Sequence, residues 1–386
     1  ILRYNFQTGA LVDTLFRVEK ARECEFKRFD DYLLEPNGHH IVLLTERESI
    51  YRRSSKANAF HYDVRRNRVE PLSTTAGKVM IPTFSPDGRM VAFVRSGNIF
   101  IKKFEFDTEV QVTSDGMSNK VMNGITDWVY EEELETIRLL SWSEDNNYAF
   151  VRTDESKVKE YTMPIYGKSQ QYPGEYTYKY PKAGTANARV SLHIYNVIDR
   201  SRKPIDLRMP LYYIPRIEFV GRDGNLAVFG LNRQQNHLTL HYVNAKTLVP
   251  KLVFEDKNKA YVDSRNIPKC QFIPQGFAYL GEQDGYRHIY IYSDKGTLLR
   301  QVTTGKYDDT NFYGVDHLGN IYYQAADESP IRRSIYRIDP KGRKTALHSA
   351  AGENRVIFSK DFAHYISFHS NVDTPTVTAV YATGNP

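Results

Sequence analysis

Three consecutive glutamates, Glu131, Glu132 and Glu133, lie in "GITDWVYEEELETIR", Gly124 to Arg138, within a chain that otherwise reads as short strands and turns. Neighbouring side chains on a helix diverge by roughly 100°, so two of the three can converge on one point while the third turns away. Converging carboxylates repel unless a cation sits between them, and a peptide α-ammonium, with a reference pKa of about 7.7–8.0, is such a cation. A pair used in this way selects substrates with a free amino terminus. The competing reading is a solvated acidic turn. In it Thr126 or Asp127 caps a helix, the glutamates fall at or near its first turn, Leu134 and Ile137 face inward, and Glu135 pairs with Arg138.

Arg52, in "SIYRRSSKANAFHYDV", is the second candidate. A guanidinium fork at the end of a strand suits a substrate carbonyl, or orients one of the glutamates. A surface arginine beside Arg53 is the plain alternative. His39 and His40 follow the turn Pro36-Asn37-Gly38 and read as an exposed polar pair rather than a metal site. No Gly-x-Ser-x-Gly, His-Glu-x-x-His, P-loop or Gly-x-Gly-x-x-Gly motif occurs, so the sequence offers no catalytic residue, metal site or cofactor site.

The elements that must position these residues are strands. Aromatic residues make up 13% of 386 residues, with 28 Tyr against 2 Trp, which suits half-buried strands better than a helical bundle. One turn phrase recurs seven times, an apolar or aromatic residue, a Pro/Asp/Asn/Gly turn, then an apolar strand. It reads "LEPNGHHIVLL" from Leu34, "FSPDGRMVAFV" from Phe84, "WSEDNNYAFVR" from Trp142 and "FVGRDGNLAVFGL" from Phe219; "FIPQGFAYLGE" from Phe272, "VDHLGNIYYQA" from Val315 and "FSKDFAHYISF" from Phe358 complete the series. Copies recur roughly every 43 to 77 residues, most near 50, the length of a four-stranded blade. With the opening hairpin of "ILRYNFQTGALVDTLF", turning at Gln7-Thr8-Gly9, the count is eight. The expected fold is therefore all-β, a single eight-bladed β-propeller over residues 1–386 with an incomplete first blade and a short helical Glu-rich insertion. A β-sandwich is the competing architecture.

The fourth blade carries a Tyr- and Pro-rich excursion, Tyr161 to Ala183, longer than one blade needs. Such insertions project from the rim and carry contacts or function; a long surface loop is the plainer reading. Net charge is +6 with basic residues scattered, which argues against nucleic acid as partner. No apolar run reaches the length of a membrane helix. Cys24 and Cys270 are far apart without metal spacing, leaving a disulfide or two buried thiols, the latter preferred.

Beyond these physical readings, "NGITDWVYEEEL", "YPKAGTANARVSLHIYNV" and "DGYRHIYIY" closely resemble the propeller domain of the dipeptidyl peptidase IV family, serine peptidases of the prolyl oligopeptidase clan. The resemblance implies an eight-bladed propeller preceding a C-terminal α/β-hydrolase domain. It implies that Glu132 and Glu133 anchor the substrate amino terminus, that Arg52 binds a substrate backbone carbonyl, and that Thr136 lines the same region. It also implies that the excursion is an extended arm contributing to a homodimer. The chain stops at "TVTAVYATGNP", where the hydrolase domain is expected, and its first blade lacks leading strands. The expectation is thus a domain cut from a longer precursor, without the nucleophile, aspartate and histidine and so unable to hydrolyse peptides alone. Absence of Asn-x-Ser/Thr sites points to a bacterial, periplasmic or secreted origin.

The function expected is substrate gating and N-terminal anchoring for an exopeptidase that releases X-Pro or X-Ala dipeptides. A non-enzymatic propeller that binds peptides or proteins is the alternative. A glycosidase using Glu132 and Glu133 as its acid pair is disfavoured, because adjacent side chains do not give opposed carboxylates roughly 5 Å or more apart.

Overall fold

The computed structural model describes every residue except Pro210, Arg222, Asp223, Asn385 and Pro386. The turn centre of the repeat beginning at Phe219 falls on two of these and lies outside the described residues. The chain divides into two compact units, Ile1–Val262 and Asp263–Pro386.

In the first unit, a hairpin of Leu2–Tyr4 and Leu11–Thr14 is followed by antiparallel sheets over residues 31–71, 80–111, 121–205 and 213–257. In the second, sheets follow over 271–301 and 309–348, and a three-stranded sheet over 353–382. Taken in chain order, these are the eight blades of an eight-bladed β-propeller; the first has two described strands and the last three. Among the described residues, the other six repeat phrases each form the turn that joins the leading strand of a sheet to the next.

The recurrence has a physical cause. Just after the apolar residue, a side-chain oxygen accepts the backbone N–H that re-enters the sheet. Ser85 Oγ accepts from Met90 N at 3.0 Å, Ser143 Oγ from Asn147 N at 2.9 Å, Asp316 from Asn320 N at 2.9 Å and Ser359 Oγ from His364 N at 3.0 Å. Buried Glu35 does related work, accepting from the amides of Asn37 and His39, both at 2.8 Å. These five turns therefore satisfy their own polar groups before the buried strand begins.

Interior strands are buried on both faces, so the core is distributed between successive sheets. Val94, Ile99 and Ile101 pack against Leu140, Tyr148 and Phe150 in the first unit. Leu280, Ile289 and Ile291 pack against Phe312, Ile321 and Tyr323 in the second. Each such side chain contributes about 1.5–3 kcal/mol through removal from water. The alternation of isoleucine and tyrosine in "HIYIY" thus separates two buried faces.

His288, at the head of that strand, is also fully buried. Its Nε2 lies 3.0 Å from Gly305 O and its Nδ1 3.2 Å from Thr303 Oγ1, while Thr303 donates to Asp309. Burial opposes its charged form, but Asp309 and the Gly305 carbonyl outweigh that and raise its pKa. This accounts for "DGYRHIYIY" as a structural motif.

Two expectations need correction. His40 is not an exposed partner of His39. It is half-buried, with Nδ1 2.8 Å from Nε2 of buried His61, and both rings stack on Phe104 of the next blade, at 4.5 and 4.3 Å between centroids. A turn in sequence gives no sign of a ring supplied by a neighbouring sheet. Both cysteines are free thiols, but Cys270 alone is buried and Cys24 is half-buried.

Candidate functional site

The glutamate segment interrupts the innermost strand of blade 4. That strand is split into Val121–Asn123 and Leu140–Trp142, and both pieces pair with Asn147–Asp154. The looped-out segment closes at its base, where Leu139 N donates to Gly124 O at 2.8 Å. Within it Trp128–Glu133 form a six-residue helix, α1. Of the two proposed caps Asp127 is the one used, and its carboxylate accepts from Tyr130 N at 3.0 Å. The helix ends at Leu134 because Glu135 takes a left-handed conformation, φ +53°.

Six residues are too few to hold the longer register expected. Glu132 and Glu133 occupy the last turn rather than the first, Leu134 is buried but Ile137 only half-buried, and Glu135 turns to Arg53 at 3.4 Å instead of Arg138. The helix is fixed from below by Tyr130, whose hydroxyl accepts from Ile214 N of blade 5 at 2.8 Å. That hydroxyl is buried with its ring edge-on to Tyr213.

Arg52 stands at the tip of a tight loop just beyond the strand His40–Ser49, closed by Ile50 N donating to Ser54 O at 2.9 Å. Its Nε donates to Glu132 Oε2 at 2.8 Å. The structure therefore joins two of the residues singled out in sequence. Arg52 is largely exposed and Glu132 mostly covered, with side-chain exposures of 71% and 16%. The pair thus presents its guanidinium outward and its carboxylate from a shelf. Glu132 raises the pKa of the Arg52 guanidinium.

Glu133 is exposed at the end of the helix. Thr136 is half-buried and close in sequence, but its hydroxyl donates to Arg138 O at 3.2 Å while its own carbonyl accepts from Thr126. Thr136 therefore shapes the return of the segment through its backbone bonds.

Three features were not read from the sequence. Glu131 is fully buried and accepts from the amides of Arg53 and Ser54. Arg53 folds back so that its Nη1 donates to Glu131 O at 2.7 Å. The arm, whose strands are Glu160–Ile165 and Gly174–Lys179, is rooted on the site. Tyr176 Oη donates to Ile50 O at 2.9 Å, Tyr178 lies 5.8 Å from Tyr51 and 6.2 Å from Trp128, and Tyr180 lies 4.3 Å from Trp128. Alternation of tyrosines at 176, 178 and 180 was the available signal, since it puts all three on one face of a strand.

Among the described residues no cluster of three or more His, Cys, Asp or Glu is arranged to hold a metal. No described helix is long and apolar enough to cross a membrane.

The site is thus a β-propeller blade whose split inner strand presents an acidic helix against an arginine loop. Residues 35–376 match the family described as the dipeptidyl peptidase IV N-terminal region, and the chain belongs to that family. It superposes on the crystal structure of Porphyromonas gingivalis dipeptidyl peptidase 4 with a TM-score of 0.96 and 56% identity, covering 99% of this chain and 55% of that one. It is 31% identical over 340 residues to dipeptidyl-aminopeptidase B of Aspergillus niger, covering 80% of this chain and 37% of the relative. It is 25% identical over 397 residues to human prolyl endopeptidase FAP, covering 96% and 51% respectively. The chain thus spans between about a third and just over half of the length of these relatives, and corresponds to their N-terminal region.

Proposed function

We propose that this chain is the substrate-gating and N-terminus-anchoring propeller of a dipeptidyl peptidase IV-like serine exopeptidase that releases X-Pro or X-Ala dipeptides. The observation that carries the proposal is the Arg52–Glu132 pair, a carboxylate and a guanidinium from distant parts of the chain held at 2.8 Å. Glu132 and the neighbouring Glu133 hold the substrate ammonium, and Arg52 donates to a backbone carbonyl one residue further along. Thr136 supports the wall beside them. Charge-assisted bonds at the amino terminus set register, so the scissile amide falls two residues in.

An α/β-hydrolase domain supplies the nucleophile, histidine and aspartate for acyl transfer to water. Placement of α1 on the innermost strand of a blade supports gating, since in a propeller that strand borders the central channel. Exposed Ile165, Tyr166 and Tyr172 support a homodimer contact through the arm, over about residues 161–183. A periplasmic, secreted or cell-envelope location goes with the same proposal.

The test is kinetic, in the full-length protein on an X-Pro substrate. Glu132→Gln and Glu133→Gln are each expected to lower kcat/KM by about 10- to 100-fold, the loss of a hydrogen bond to a charged group. Wild-type kcat/KM in both variants overturns the anchoring role.

A further inference from the structure

Glu131 is the glutamate that cannot meet a substrate, because its side chain is fully buried beneath the site. We infer that it is the positioning residue of the amino-terminal anchor, holding the Arg52 loop in register with Glu132. This rests on the anchoring role proposed above for Arg52 and Glu132.

The argument begins with consecutive contacts. One oxygen of Glu131, Oε1, accepts from the amides of both Arg53 and Ser54, the latter at 2.7 Å. The other, Oε2, has no hydrogen-bond partner among the described residues. Arg53 completes the clamp, with Nη1 on Glu131 O at 2.7 Å and Nη2 on Glu135 at 3.4 Å. The very next residue of the helix, Glu132, meets the preceding residue of the loop, Arg52. Helix and loop are therefore matched step for step, with 131 to 53–54 and 132 to 52.

Strengths differ sharply along this match. The Arg52–Glu132 pair has an arginine 71% exposed, and pairs of that kind contribute little to holding two segments together. The Glu131 bonds are made by a carboxylate to buried or half-buried amides, where such bonds are strong and where their loss strands two backbone donors. Glu131 therefore fixes the loop, and Arg52 is carried to its place by it. The functional consequence is specific. An arriving ammonium competes with Arg52 for Glu132, and the loop must stay in place while that pair loosens. Glu131 makes this possible because its hold on residues 53–54 does not pass through Arg52. Tyr176 adds a second hold through Ile50 O, from the arm side.

The experiment uses the full-length protein with Glu131→Ala, Glu131→Gln and Glu132→Gln. Two quantities are measured, amide hydrogen exchange at Arg53 and Ser54, and the ratio of kcat/KM for an X-Pro substrate with a free amino terminus to that for its N-acetylated form. Glu131→Ala is expected to speed exchange at both amides at least tenfold and to lower the ratio at least tenfold. Glu131→Gln keeps an oxygen acceptor and is expected to hold both within about threefold of wild type. Should the alanine variant not fold, Glu131→Asp, too short to reach both amides, is expected to move both readouts the same way. Unchanged exchange, an unchanged ratio, or an equal fall on both substrates overturns the positioning role. If Glu132→Gln collapses the ratio and Glu131→Ala does not, anchoring stands and positioning alone fails. If Glu132→Gln leaves the ratio unchanged, the anchoring reading fails and takes the positioning role with it.

Discussion

Asp127, the cap of the glutamate helix, and Glu155 are both buried carboxyls, and the charge of Asp127 opposes the ionisation of Glu155. Burial pushes Asp127 up to about 6. Burial, followed by the charge of Asp127, pushes Glu155 up to about 7. Both groups hold a proton more tightly in the folded chain than in the unfolded one. The stability they confer is complete below about pH 4 and is lost as pH rises through about 6 and then about 7. Replacing Glu155 by Gln is therefore expected to raise stability at pH 8 by about 1–3 kcal/mol and to leave it unchanged near pH 4. Urea denaturation at the two pH values checks this; an equal effect at both contradicts it.

Arg52 and Glu132 are expected to act as a unit on substrates with a free amino terminus. Arg52→Ala and Glu132→Gln should each lower kcat/KM, and the double variant should lose less than the product of the two factors. The measurement is a double-mutant cycle in the full-length protein. Strict multiplicativity would show that the 2.8 Å contact has no consequence for binding.

Tyr130 ties the helix to blade 5 through a single buried bond from Ile214 N. Tyr130→Phe strands that amide and is expected to cost about 1–3 kcal/mol of stability. Denaturation reads the loss directly. The same variant should raise KM for a free-amino substrate more than it lowers kcat, because the helix it loosens carries Glu132.

Much of this architecture was legible in the sequence because its determinants are local. Most turn phrases carry their own acceptor, as at Ser85 and Ser359, so the number of blades is written locally in the chain. The interest of Arg52 and Glu132 was also legible, from residue type and from resemblance. The role of Glu131 was not, since its partners lie 77 and 78 positions away and no pattern encodes a bond to a backbone amide. The pairing of Glu135 with Arg138 failed for a related reason. A helix was extrapolated past Glu133, whereas the left-handed backbone at Glu135 turns that side chain toward Arg53. The arm is legible as a Tyr- and Pro-rich insertion, but the partners of its tyrosines are not. Their contacts with Tyr51 and Trp128 depend on how a hairpin folds back over its own blade.

The central claim is that a free substrate amino terminus is held by this domain, and acetylating that terminus tests it most directly. In the full-length protein, kcat/KM for an X-Pro peptide is expected to fall at least tenfold on N-acetylation. The Glu132→Gln, Glu133→Gln double variant should show little further discrimination between the two peptides. Equal kcat/KM for the free and acetylated peptides in the wild-type protein would contradict the account.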